Sequence, residues 1–396
     1  KIMAKKMLFL FVLLLSLTGM LKAQVTTAGM SGKVMADEES VIGATVVAVH
    51  EPSGTSYGTV TNVDGRFSLQ GMRSGGPYKV TVSYIGYQTA IYTGIQLQLG
   101  ETYSLNVILH EASELLGEIT ITASKSKFSA EKTGATTNIS SEQLTTLPSI
   151  NRSISDFTRI SPYASGNSFG GRDGRSNTFT VDGANLNNNF GLSSGLPGGG
   201  NPISLDAIDE VQVVIAPYDV RQANFIGAGI NAITKSGTNA YRGSAYMYFN
   251  NEVMRGNKIG DTDFGVRAEE SQTVYGATFG GPIIKDKLFF FANVEYEKSP
   301  QQVITWRAAK EGETPNNSTI SRTTEADLAE FSQILKDKYG YNTGSFTDFP
   351  ADVTNLKLLG RIDWNINQGN KLSVRYNFTN NKTWEAPNGS SGNTGY

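Results

Sequence analysis

The chain is 396 residues long, nearly balanced in charge with 34 lysines and arginines against 36 aspartates and glutamates, rich in glycine at 43, and free of cysteine. Without cysteine it has no disulfides, thiolate metal sites, cysteine nucleophiles or lipid-modified N-terminal cysteine. His50 and His110 are the two histidines, which excludes a histidine-rich metal cluster, and the charge balance gives no electrostatic basis for holding nucleic acid.

Lys1, Lys5 and Lys6 precede an apolar run from Met7 to Leu17, and Leu21-Lys22-Ala23 ends in a small residue, so residues 1–23 read as a secretory signal peptide. The run is shorter than the roughly 20 apolar residues that cross a bilayer as a helix.

Residues 24–110 show short alternating runs separated by turn signals. Val80, Val82 and Tyr84 alternate with Lys79, Thr81 and Ser83, and Leu105, Val107 and Leu109 alternate with Asn106 and Ile108, which predicts an antiparallel β-sandwich. Asn62-Val63-Asp64-Gly65 reads as a turn with Gly65 at positive φ. The segments SGKV (31–34), GATVVAV (43–49), TNVDGRFSL (61–69) and VSYIGYQT (82–89) resemble the carboxypeptidase regulatory-like domain. That resemblance implies an accessory sandwich without peptidase chemistry.

Residues 111–132 form a polar linker around one β-prone hexamer, Glu118-Ile119-Thr120-Ile121-Thr122-Ala123. Such a peptide suits strand addition to the open sheet edge of a partner. An ordinary linker or a final sandwich strand fits the same pattern. Residues 133–239 mix elements: Ser141 with Glu142 starts a short helix stopped by Pro148, Ile154, Phe157 and Ile160 suggest a second ended by Pro162, and Thr178–Asp182 and Val211–Ile215 read as strands. A glycine- and asparagine-rich loop, 183–201, joins those strands in a compact α+β domain.

GRDGRSNTFTVDGANLNN (171–188), LDAIDEVQVV (205–214) and GAGINAITKSGTN (227–239) are similar to the plug domain of TonB-dependent outer-membrane receptors, particularly those with Oar-like barrels. By this resemblance the hexamer Glu118, Ile119, Thr120, Ile121, Thr122 and Ala123 occupies the place of the TonB box, the peptide gripped by the periplasmic energy-coupling complex. The resemblance also puts Arg172, Arg175, Asp182 and Asn185 on the lumenal surface of the plug. There they face ligand, or simply hold the plug to the barrel by hydrogen bonds.

Residues 240–396 carry strands with one apolar and one polar parity. Tyr241, Ala245, Met247 and Phe249 share the first, and Thr273, Tyr275, Ala277 and Phe279 the second, which ends at Gly281-Pro282. Leu288, Phe290, Ala292, Val294 and Tyr296 stand opposite Phe289, Phe291, Asn293, Glu295 and Glu297. Leu356, Leu358, Ile362, Trp364 and Ile366 then alternate with Lys357, Arg361, Asp363, Asn365 and Asn367, and Leu372, Val374, Tyr376 and Phe378 with Ser373, Arg375, Asn377 and Thr379. Connectors run long, short, long, short: about Lys285–Lys287 and Gln368–Asn370 are tight, whereas 298–355 holds a helix started by Thr324 and Asp327 and stopped by Gly340. Short periplasmic turns and long outer loops mark an outer-membrane barrel.

The expected architecture is multidomain and mainly β: an N-terminal β-sandwich, an α+β plug, then the first five antiparallel strands of a transmembrane β-barrel. Five strands do not close a barrel, so an N-terminal fragment of a receptor is expected. The expected activity is TonB-dependent transport of a nutrient ligand (glycan, peptide, iron chelate or cobalamin), with outer-membrane lipid and a surface lipoprotein as further partners. The alternative is a non-transporting surface protein that binds glycan or protein through its sandwich. No catalytic residue, metal ligand or cofactor is expected. G-x-S-x-G occurs at 54–58, 166–170 and 191–195, but no histidine follows His110, so the hydrolase triad order is impossible for Ser168 and Ser193, and Ser56 lies in a predicted hairpin.

Overall fold

The computed structural model describes residues 25–36, 39–111, 119–122, 135–149, 152–187, 196, 201–217, 219, 222–263, 271–300, 307–315, 320–344 and 353–383. The signal-peptide segment, Glu118, Ala123 and most of loop 183–201 lie outside them. Two compact units are present. The described residues within 1–242, 279–292 and 360–375 form the first, and those within 243–278, 293–359 and 376–396 the second.

The first unit opens with β1 (Ala28–Ala36), β2 (Glu39–Ser40), β3 (Thr45–His50), β4 (Thr55–Val60), β5 (Arg66–Met72), β6 (Gly75–Ser83), β7 (Ala90–Leu97), β8 (Thr102–Ser104), β9 (Val107–Leu109) and β10 (Ile119–Thr122). They form two five-stranded sheets, one built on β1 with β2, β5, β8 and β9, the other ordered β10-β7-β6-β3-β4. Alternation buries one face of each: Val46, Ala48, Phe67, Leu69, Tyr78, Val80 and Val82 share a single core with Met30, Val34 and Leu97. The sandwich is mixed rather than antiparallel, because β8 and β9 pair with β1 in parallel and β10 pairs with β7 in parallel. Leu105 interrupts the β8–β9 run where β1 carries Gly32, at which a Cβ would lie 1.9 Å from the Leu105 carbonyl oxygen. The expected turn is present: Asn62 Oδ1 accepts from the Asp64 and Arg66 amides at 3.0 and 2.8 Å, and Gly65 has φ of 71°.

The α+β domain comprises β11 (Ala135–Ser140), α1 (Ser141–Thr146), α2 (Ile154–Thr158), β12 (Ala164–Ser165), β13 (Ser168–Phe169), β14 (Thr178–Val181), β15 (Ala184–Asn185), β16 (Ile208–Ala216) and β17 (Gly229–Thr234). Its main sheet runs β11-β16-β17-β14-β15. All of β14 and most of β16 are buried, the mark of strands covered on both faces. Helix α1 is capped one residue earlier than expected, by Ser140, whose side chain and that of Gln143 form a reciprocal capping box. Ser153 and Asp156 cap α2 in the same way, burying Ile154 and Phe157 while Ile160 stays exposed.

The remaining strands are β18 (Arg242–Asn251), β19 (Lys258–Ile259), β20 (Thr262–Asp263), β21 (Ser271–Ile284), β22 (Leu288–Lys298), β23 (Arg307–Ala309), β24 (Ile320–Thr324), β25 (Thr354–Asn365) and β26 (Lys371–Lys382). The five long ones form a sheet ordered β18-β21-β22-β25-β26. Strand β21 continues through Gly281 and Pro282 to Ile284, beyond the expected stop. Tyr241 lies over Gly281 on this strand, its hydroxyl donating to the Pro282 carbonyl at 2.9 Å and its ring stacked on Phe279. The small pairs β19–β20 and β23–β24 have no counterpart in the sequence pattern. Between β24 and β25 lies α3 (Glu325–Tyr339), with Thr324 and Asp327 as its capping box and Gly340 in the left-handed region at its end.

This long sheet reverses the burial of a soluble protein. Asn293, Glu295, Asn355, Lys357 and Asp363 are buried, while Val294, Tyr296, Leu358, Ile362, Trp364, Val374 and Tyr376 on the other parity are exposed. A water-facing sheet would do the opposite, since burying charge is costly and burying apolar surface is favourable. Among the described residues no helix is long and apolar enough to cross a membrane. The exposed parity is the one suited to lipid.

Val294→Arg tests that face. In lipid the change is expected to cost about 2–4 kcal/mol at the bilayer midplane, against about 0.5 kcal/mol or less at a solvated surface. Urea titration of protein folded into lipid vesicles reads the difference, and an unchanged midpoint would place Val294 in water.

Candidate functional site

The four plug residues singled out in the sequence are not gathered into one site. Arg172 and Arg175 precede β14, whereas Asp182 follows it and Asn185 lies on the returning β15. Arg172 and Arg175 are exposed, Arg175 pairing with Asp173 at 2.9 Å, and Asn185 is exposed with its side-chain oxygen accepting from the Asn187 amide at 2.8 Å. Asp182 is different. Its side chain is 7 % exposed and its φ is 49°, and it accepts from the Thr234 amide at 3.0 Å and the Thr234 hydroxyl at 2.7 Å.

Around Asp182 a chain of charges ties the α+β domain, the sandwich and strands β25 and β26 together within the first unit. Arg375 on β26 approaches Asp182 to 3.5 Å, and Arg361 on β25 to 3.9 Å. Arg361 also donates to the Thr234 carbonyl at 2.5 Å and grips Asp363 in a fork, Nε to Oδ2 at 2.7 Å and Nη2 to Oδ1 at 3.1 Å. Asp363 accepts further from Ser373 Oγ at 2.6 Å and pairs with Arg73 of the sandwich at 3.3 Å. Arg73 in turn donates to Ser236 Oγ at 2.6 Å. Guanidinium groups suit this role because their planar fork satisfies two carboxylate oxygens at once. Arg361 and Asp363 sit on the polar parity of β25; Arg73 carries no sequence signal of its own.

The short strand turns belong to the same junction. Asn239 and Asp286 exchange hydrogen bonds at 2.7 and 2.9 Å, and the Asn239 amide donates to the Pro52 carbonyl at 2.8 Å. Asn365 donates to Thr55 Oγ1 at 2.9 Å, and Lys371 Nζ lies 3.1 Å from the centre of the Tyr57 ring. Gly237 passes so close to the strands that a Cβ would lie 2.4 Å from the Phe290 carbonyl oxygen. The SGTN portion of the plug motif is thus a backbone approach that only glycine permits.

A second seam joins the sandwich to the α+β domain just after β7. The Leu99 amide donates to both oxygens of Glu210 at 3.0 and 3.1 Å, and the Leu99 carbonyl accepts from Gln212 Nε2. Asn138 donates to Glu101 at 3.2 Å. Burial pushes the Glu210 carboxyl up to about 8, with Asp209 and Glu101 adding repulsion against the hydrogen bonds from Leu99 and Ser74. Burial also raises Asp209 despite the nearby Lys235.

In the second unit, Lys357 Nζ lies 2.8 Å from Glu295 and 3.8 Å from Glu297 with both partners largely buried. The Tyr246 hydroxyl donates to Glu295 at 2.8 Å and Gln272 to Glu297 at 2.6 Å. None of these groups forms a metal cage: among the described residues no cluster of three or more His, Cys, Asp or Glu is placed to hold an ion. Of the G-x-S-x-G serines, Ser56 lies on β4 and Ser168 on β13, and Ser193 falls outside the described residues.

Residues 29–110 match the carboxypeptidase regulatory-like domain, and residues 233–396 match the outer membrane beta barrel domain. Over 344 residues the chain is 25% identical to the TonB-dependent transporter Oar of Myxococcus xanthus, an alignment that covers 82% of this chain and 30% of that one. Residues 233–396 thus carry an outer membrane beta barrel domain behind a carboxypeptidase regulatory-like one, and the chain is similar to a TonB-dependent transporter. It therefore spans about a third of the length of its relatives. The siderophore receptor PirA of Acinetobacter baumannii is similar at 19% identity and a TM-score of 0.43, over 65% of this chain and 33% of that one. For the ferric enterobactin receptor PfeA of Pseudomonas aeruginosa the values are 14%, 0.42, 64% and 34%.

Two outcomes check this junction. Asp363→Ala removes the fork that Arg361 grips and the carboxylate paired with Arg73, leaving Arg361 only Asp182 and Thr234, and is expected to cost about 3–5 kcal/mol in a urea titration, as loss of one partner of a buried pair does. The Glu210 carboxyl holds its proton in the fold between its ordinary value of 4.5 and about 8. Its contribution is therefore fully present below about pH 4.5 and is lost as pH rises through about 8. The melting temperature should fall across that window, and Glu210→Gln should flatten the fall; an equal slope in the variant would remove Glu210 as its source.

Proposed function

We propose that this chain is the front of a transporter that imports a nutrient ligand across the outer membrane using energy delivered from the periplasm. The observation that carries the reading is the clasp of Asp182 by Arg361 and Arg375, which fixes a plug domain to strands whose exposed face is apolar. A plug held by a few ion pairs and hydrogen bonds blocks a lumen at rest and yields when pulled. The short turns at Asp286 and Asn367–Asn370 share their unit with plug and sandwich, and because short turns are periplasmic in outer-membrane barrels this supports a periplasmic position for both domains. In this reading Glu118–Ala123 is the peptide that the coupling complex grips, and Arg172, Arg175 and Asn185 are exposed plug groups available to ligand. Asp182 serves the clasp instead. A glycan, a peptide, an iron chelate and cobalamin are the ligand classes to test, and a surface lipoprotein is a further partner.

Deleting Glu118–Ala123 is expected to leave the amount of protein in the outer membrane unchanged and to abolish energy-dependent accumulation of the transported ligand from a labelled panel of those four classes. Accumulation equal to that of the intact chain for every member of the panel that the chain imports would sink the proposal.

A further inference from the structure

The coupling segment does not hang free. Ile119–Thr122 forms the terminal strand β10 of the sandwich sheet, in parallel register with β7: Ile119 opposite Ala90, Thr120 opposite Ile91, Ile121 opposite Tyr92 and Thr122 opposite Thr93. One of its two backbone edges is thereby spent on the chain's own sandwich. Two residues beyond the end of β7 lies Leu99, whose amide and carbonyl hold Glu210 and Gln212 of the plug.

We infer that the β7 edge of the sandwich is the resting dock of the coupling strand, and that a partner presenting an open sheet edge must displace β10 from it. The inference rests on the reading of Glu118–Ala123 as the coupling peptide. A four-residue parallel pairing is short, and each backbone hydrogen bond contributes little net because it replaces one to water, so the dock is weak enough to be exchanged. It is nevertheless intramolecular. The strand is tethered to the sandwich by the linker that starts after Glu111, and a short tether gives an effective concentration of order millimolar. The sandwich thus acts as a competitor that lowers the affinity of the coupling protein and releases the strand only to a better edge. Ejection of β10 leaves β7 as a new sheet edge whose far end is bonded to the plug, so occupancy of the dock and the plug seam are linked through one strand.

Because the chain has no cysteine, the dock can be locked by a single engineered pair. Thr93→Cys with Thr122→Cys places two thiols at opposed positions of the register. In the full chain, oxidation is expected to reduce capture by the purified periplasmic domain of the coupling protein at least ten-fold, and dithiothreitol to restore it. In the unmodified chain, hydrogen exchange at Ala90–Thr93 should accelerate when that domain binds, since the β7 edge is vacated. Undiminished capture by the oxidised pair, unchanged exchange at Ala90–Thr93 on binding, or failure of the pair to cross-link in a folded chain would each overturn the dock. Deletion of Ile119–Thr122 separates the two levels. If capture survives the deletion, the coupling reading fails and the dock with it; if capture is lost but the locked pair still binds, only the dock is refuted.

Discussion

A sheet that turns its apolar side chains outward has to bury its charges, and every buried charge needs a partner. That constraint organises the rest of the molecule. On β25 the inward parity carries Asn355, Lys357, Arg361 and Asp363, and two of these charges are neutralised by the α+β domain and the sandwich rather than by the sheet alone. Arg361 reaches Asp182 and the Thr234 carbonyl, and Asp363 reaches Arg73. Further along the same strand, Lys357 is satisfied by Glu295 and Glu297 of β22. Charges that would be a liability in a soluble core become the attachment points for residues of the two N-terminal domains.

The sandwich contributes more than an appendage. Through Arg73 and Tyr57 it meets the charges and the lysine at the β25–β26 turn, through Leu99 it meets the α+β domain, and through the β7 edge it pairs with Ile119–Thr122. Its own stability comes from one core shared by both sheets, in which Tyr78, Val80 and Val82 are fully buried. A rigid body with three separate polar contacts can transmit displacement between them, because a packed interior shifts as a unit rather than deforming locally.

Much of the fold was legible because periodicity is a local property. The alternation of Leu356–Asn367 and of Leu372–Thr379, the turn at Asn62–Gly65 and the capped helix after Thr324 all follow from side chains a few residues apart. Errors arose where a neighbour outside the window decides. Pro282 remains within β21 even though it donates no backbone hydrogen bond. The β8, β9 and β10 pairings are parallel because distant strands, β1 and β7, receive them. The start of α1 differs for a local reason instead: Ser140 caps it in place of Ser141 because the Gln143 side chain, three residues on, completes the box.

The candidate site divides along the same line. Asp182 stood out in a polar motif, yet nothing in that motif distinguishes a ligand-facing carboxylate from one clasped by Arg361 and Arg375, residues well over a hundred positions away. Arg73 lies in a sandwich turn with no local signal, and its role exists only because Ser236 and Asp363 come to it. By itself the sequence determined which faces are apolar, where short turns fall and which peptide lies between domains, since each depends on spacing along the chain. Only the tertiary structure decided which buried charges neutralise one another and that Ile119–Thr122 rests on the β7 edge, because pairing energies act between groups brought together by folding, whatever their separation in sequence.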